Sequence, residues 1–174
     1  MAACPDTHPF NSDQSAALLR RASKQWDADI VPQLIEYVKL PAKSPSFEAE
    51  WKRAGQIQRA IEQAQKFVAA QPVKNMTLEV ITLEGRTPVL FFDIPGTGAK
   101  ATGKTVLLYG HLDKQPEMTG WRDDSGPWTP LLEDGKLYGR GSADDGYAVF
   151  AALAAVIALD AEKVPTWTLT IDAV

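Results

Sequence analysis

Cysteine is nearly missing from this chain. Cys4 is the only one in 174 residues, which excludes an intramolecular disulfide, a thiolate metal centre and a Cys-His nucleophile. Histidine is almost as scarce: only His8 and His111 occur, so any imidazole chemistry runs through one of them. There is no surplus of positive charge. The net charge of −4 argues against a nucleic-acid partner, which a basic face would serve. Long apolar runs are absent too. The longest, Tyr147 to Leu159, falls short of the roughly 18 residues a membrane span needs and reads as a buried helix, so no membrane partner is expected. Met1 to Phe10 lacks the basic and apolar regions of a secretory leader, and the expected address is cytoplasmic.

What remains is an ordinary globular composition, 45% hydrophobic and 23% charged, with neither disorder nor low complexity indicated. Residues 1–14 read as an N-terminal arm, with His8 a solvated tail residue, and 15–174 as a single domain. Asn11 and Gln14 fit a capping box. A helical stripe follows through Ala17, Leu18, Ala22, Trp26, Ile30, Leu34, Tyr37 and Val38. Pro32 marks either a kink or the first turn of a second helix. Trp26 and Tyr37 fall on the core face. Ser44-Pro45 suits a helix start, and Phe47 to about Ala70 has the three- and four-residue apolar spacing of one amphipathic helix.

After Pro72 the period changes to two. Met76 to Thr82 and Val89 to Ile94 read as a hairpin or meander. The turn from Pro95 to Gly103 lacks the Gly-Lys-Ser/Thr ending of a phosphate loop. Leu131 to Tyr138 reads as a short hairpin closed by Asp134-Gly135, Tyr147 to Asp160 as a helix, and Trp167 to Ile171 as a last strand. Strand, helix and strand in that order suggest a parallel crossover. The expected class is α/β, with a mixed, largely parallel sheet flanked by helices.

Two stretches concentrate the chemistry. Val106 to Tyr109 is an apolar run that predicts a central strand buried on both faces, and ligands bind at the carboxyl ends of such strands. That end presents Gly110-His111-Leu112-Asp113. His111 and Asp113 project to one side if the path stays extended, so the carboxylate can fix the imidazole's tautomer. The second stretch is Gly139 to Gly146, where Asp144 and Asp145 head the buried helix. One acid there is an ordinary N-cap. Two acids beside an apolar helix call for a cation: Arg140 through a salt bridge, or a divalent metal shared by Asp144 and His111. Imidazole plus carboxylate suits zinc, with manganese or cobalt as alternatives.

The runs Tyr109-Gly-His-Leu-Asp-x-Gln-Pro116 and Leu137-Tyr-Gly-Arg-Gly-Ser-x-Asp-Asp145 resemble the M20 family of zinc peptidases. The carnosinase-like dipeptidases are the branch most resembled, with Pro41 to Pro45 and the Trp-rich 121–130 link in agreement. The resemblance implies a zinc-peptidase-like catalytic domain that splits dipeptides or short peptides at a dinuclear zinc site. In it His111 ligates one ion, Asp144 bridges both, and Asp113 serves catalysis by orienting the imidazole. It also implies a non-proline cis peptide between Asp144 and Asp145. A glutamate would act as general base toward water whose pKa the metals lower.

The chain departs from that pattern in two ways. Most relatives have Lys-Gly after the paired acids, where this chain has Gly146-Tyr147. The glutamate pair, a further acidic ligand, a distal histidine and the lid domain have no candidate among the 174 residues. The expectation is therefore the N-terminal part of a catalytic domain, inactive alone, with homodimerisation only in a full-length protein. Two other readings compete. One is a non-catalytic relative whose Asp144 merely caps a helix. The other is a serine hydrolase through Ser142, which lacks the glycine after the nucleophile that a tight elbow needs.

Overall fold

In the computed structural model the described residues are 10–98, 104–166 and 168–173. Cys4, His8, most of the expected arm, the end of the 95–103 turn and Trp167 lie outside them.

Helix α1, Ser12–Gln25, starts where the capping box places it. Asn11 Oδ1 accepts from the Gln14 amide at 2.9 Å, and Gln14 Oε1 accepts from the Asn11 amide at 3.2 Å. The helix thus begins inside the arm expected to reach residue 14. A π turn, Trp26–Ile30, joins it to α2, Val31–Val38, with Pro32 in the first turn. The Val31 amide donates back to the Trp26 carbonyl, five residues earlier, just before Pro32, which has no amide hydrogen to donate. The single helix expected over 47–70 is divided instead. α3, Trp51–Ala54, stops at Gly55 in the left-handed conformation (φ 70°), and α4, Gln56–Ala69, starts anew. Ser44-Pro45 opens turns, with no helix before Trp51.

Strands β1 (Thr77–Ile81) and β2 (Val89–Ile94) form the expected antiparallel pair. β3 is Thr105–Gly110, β4 (Leu131–Glu133) and β5 (Lys136–Tyr138) make a separate hairpin, α5 is Ala148–Ala161, and β6 is Thr168–Ala173. The β4–β5 turn has positive φ at both Asp134 (51°) and Gly135 (74°), as a two-residue hairpin turn requires. The main sheet has the order β1-β2-β6-β3. It is mixed and flanked by helices, as expected, and β3 pairs with β6 in parallel through the α5 crossover. Its balance is different, because β1–β2 and β2–β6 are both antiparallel: β6 returns beside the hairpin's second strand, which runs opposite to it.

The position of β3 corrects a second expectation. It is the edge strand among the described residues, and only one of its faces is covered. Leu107 is 65% exposed and Tyr109 63%, whereas Leu108 packs inward beside the buried Ile171 and α5. An apolar run has the same composition whether one face or two are covered, so the pattern does not separate the cases. The core lies between the sheet and α2, α4 and α5. Leu90, Phe92, Ile61, Phe150 and Leu153 are buried there, and Phe67 meets Phe150 edge to face at 5.0 Å. This packing fixes the two ends that matter, the exit of β3 and the head of α5.

Candidate metal centre

β3 ends at Gly110 because the head of α5 lies against it. A methyl group at this glycine would sit 2.6 Å from Ala148 Cβ and 3.3 Å from Asp145 Oδ2. That close approach sets the next residue, His111, beside the turn carrying Asp144. His111 Nδ1 lies 3.0 Å from Asp113 Oδ1 and 3.1 Å from the Asp113 carbonyl oxygen. Both are acceptors only, so Nδ1 is the donor toward Asp113, and in the neutral ring Nε2 keeps a lone pair.

Asp144 Oδ1 faces that lone pair at 3.2 Å. Two acceptors so close repel unless a proton or a cation lies with them. Donors about 2.0–2.1 Å from a tetrahedral zinc stand about 3.3 Å apart, so the pair fits two positions of one coordination sphere. Asp144 is 63% exposed, which leaves its other oxygen open to a second ion. Among the described residues no group of three or more His, Cys, Asp or Glu side chains is placed to hold a metal.

The competing partners fall away on geometry. Arg140 makes no ion pair with either acid. It lies over the Trp121 ring at 5.9 Å, its amide donates to the Pro127 carbonyl, and its Nε is buried with no partner. The acids are not buried as the sequence suggested. The Asp144–Asp145 turn precedes α5 instead of forming its first turn, which leaves Asp144 in solvent. Neither acid caps the helix: its N-cap is Tyr147, with no side-chain cap bond. The Asp144–Asp145 peptide is cis, as the family resemblance implied. Ser142 donates its hydroxyl to the Gly139 carbonyl at 2.9 Å.

Two residues beside the pair escaped the sequence reading. Tyr37, read only as core, donates its phenol to the Leu112 carbonyl at 3.0 Å. Burial, and then the charges of Asp113, Asp144 and Asp145, push that phenol well above its usual range, so it stays protonated. Lys114 is buried at 1% exposure, with its ammonium against carbonyls at the end of α2. Burial pushes its pKa down to about 7. The only available signal for either was a lysine inside a stretch that otherwise read as strand exit.

The mixed sheet thus carries a histidine at the exit of β3, facing an acid turn that precedes α5. Residues 107–171 match the model of peptidase family M20/M25/M40, so the resemblance drawn from the two motifs stands. The chain is 42% identical over 71 residues to the Beta-Ala-His dipeptidase of Mus musculus, a match covering 40% of this chain and 13% of that protein. Its fold is similar to that of the di-peptidase Dug1p from Saccharomyces cerevisiae (TM-score 0.62, 21% identity, 91% of this chain and 34% of that one). Human carnosine dipeptidase 1 is similar to the same degree (TM-score 0.61, 22% identity, 94% and 34%). The chain thus spans about a third of the length of these solved structures. No described helix is long and apolar enough to cross a membrane.

Proposed function

We propose that these residues form part of a cytoplasmic M20-type peptidase that hydrolyses the amide bond of dipeptides or short peptides at a dinuclear zinc site. The observation that carries this reading is the pair of acceptors, His111 Nε2 and Asp144 Oδ1, held 3.2 Å apart with Nδ1 committed to Asp113. His111 would hold the first ion and Asp144 would bridge to the second. When bound, the ions polarise the scissile carbonyl and lower the pKa of coordinated water. Manganese or cobalt would suit the same donors.

What this chain's own residues contribute is orientation. Asp113 keeps the imidazole in the Nδ1–H tautomer and turns Nε2 outward. The Gly110 contact holds that imidazole against the acid turn. Catalytic zinc normally takes three protein ligands, and two donors converge here, so we expect the 174 residues alone to be inactive. Homodimerisation belongs to the longer protein in this reading, and neither nucleic acid nor a membrane is a partner. The alternative of a non-catalytic relative relied on Asp144 as a helix cap, a role its geometry does not support.

The test is zinc content and dipeptide hydrolysis by the complete gene product. His111→Ala and Asp144→Asn should each abolish turnover, and Asp113→Asn should weaken zinc retention by about 10- to 100-fold. Full activity in His111→Ala, or in enzyme stripped of metal by a chelator, would refute the proposal.

A further inference from the structure

Lys114 sits in the middle of the His111 loop, yet its amine points away from solvent into the body of the domain. Nζ donates to the carbonyls of Tyr37 at 2.6 Å and Leu40 at 2.7 Å, with the Val38 carbonyl at 3.4 Å. These are carbonyls at the C-terminus of α2, where a helix leaves acceptors unpaired and its dipole favours a cation. Nζ also lies over the Tyr37 ring at 3.8 Å from its centre. Tyr37 answers in the other direction, its hydroxyl donating to Leu112 one residue after the histidine. The main chain of Lys114 is bonded on both sides as well. Its amide donates to Ala42 O at 2.8 Å, and its carbonyl accepts from the Ser44 amide at 2.9 Å.

The acid turn is packed against the same two side chains. A methyl group at Gly141 would meet Lys114 Cε at 2.8 Å and Tyr37 Cε1 at 3.0 Å, and one at Gly146 would overlap the Tyr37 ring. The Gly146 amide closes the turn on Gly141 O at 3.2 Å. So one buried unit touches both loops: by hydrogen bonds the loop of His111, by shape the loop of Asp144. It also accounts for the departure at Gly146, since the Tyr37 ring takes the space a side chain there would need.

We propose that Lys114 and Tyr37 form an internal clamp that sets the separation of His111 from Asp144, Lys114 acting as a positioning residue for that pair. The functional half of this rests on the reading of the pair as metal ligands. The mechanical half does not, and the experiment separates them.

The experiment is NMR on the 174-residue chain with Lys114→Met, which keeps the side-chain length and removes the donors, and with Tyr37→Phe, which removes only the Leu112 bond. Amide exchange reads the loops directly. In Lys114→Met the amides of residues 114 and 146 should exchange about tenfold faster or more, as loss of buried hydrogen bonds implies, while those of Phe92 and its neighbours change much less. Manganous ion reads the metal-facing pair, because broadening is visible even for weak binding. Mn²⁺ should broaden the His111 ring signals of the unaltered chain, and Lys114→Met should need about ten times more of it, the same one-bond loss. Tyr37→Phe should move both readouts the same way by less, and it decides the matter if Lys114→Met does not fold. Exchange that rises equally in loops and sheet, or a Mn²⁺ titration superimposable on that of the unaltered chain, overturns the clamp. If Mn²⁺ leaves the His111 ring of the unaltered chain untouched, the two donors do not hold an ion by themselves, and the exchange data alone decide the clamp.

Discussion

Lys114 carries the most informative electrostatics at the residue scale. In an unfolded chain it holds its proton up to the ordinary value of 10.5, and in the folded protein burial brings that down to about 7. Between those values unfolding takes up a proton, so raising the pH favours the folded state. The stability advantage of the native chain over Lys114→Met should therefore grow as pH rises from about 7 towards 10. Thermal melts at pH 6, 7, 8 and 9 check this, and a difference that stays flat across them contradicts the shift. A neutral amine still has two donors, matching the two short carbonyl contacts.

The same residue shows where sequence reading stops. The approach of Asp113 to His111 was legible because it is local: a two-residue spacing fixes which side chains meet at a strand exit. Lys114 was not legible, since the Tyr37 carbonyl it meets lies 77 residues earlier. Nothing near it in sequence distinguishes a buried lysine from a solvated one. Tyr37 was readable as core by its helical spacing, but its hydroxyl finds Leu112 only through the tertiary fold.

At the scale of elements, the signals that held were the ones that depend on neighbours in sequence. The Asn11–Gln14 capping box starts α1 and the Asp134-Gly135 turn closes β4–β5. The misreading of 47–70 as one helix came from apolar spacing that continues in phase across Gly55, whose left-handed φ ends α3. Two glycines give opposite tests. Gly55→Ala meets open space, and its cost is the backbone conformation alone, about 1 kcal/mol. Gly146→Ala drives a methyl group into the Tyr37 ring, and overpacking of that kind costs about 1–3 kcal/mol. Urea denaturation should rank Gly146→Ala as the more damaging. It should also disturb the His111 signals, which Gly55→Ala should leave in place.

At the scale of the whole molecule, the sheet is lopsided. Helices cover one side, while the other carries Leu107 and Tyr109 on β3 with most of their surface in water. These side chains contribute little to the core, so Leu107→Lys should change folding stability by less than about 0.5 kcal/mol. It should nonetheless reduce concentration-dependent self-association in sedimentation, because exposed apolar patches promote contact between copies. A large loss of stability in this variant would mean that Leu107 is better packed than its exposure indicates.

The uncovered side is not apolar throughout. By the strand register Asp93 and Thr170 share a row with Leu107, and the Thr170 hydroxyl donates to Asp93 at 2.7 Å. An acid and a hydroxyl set among the bare apolar groups keep that surface wetted and so discourage sheet-to-sheet contact.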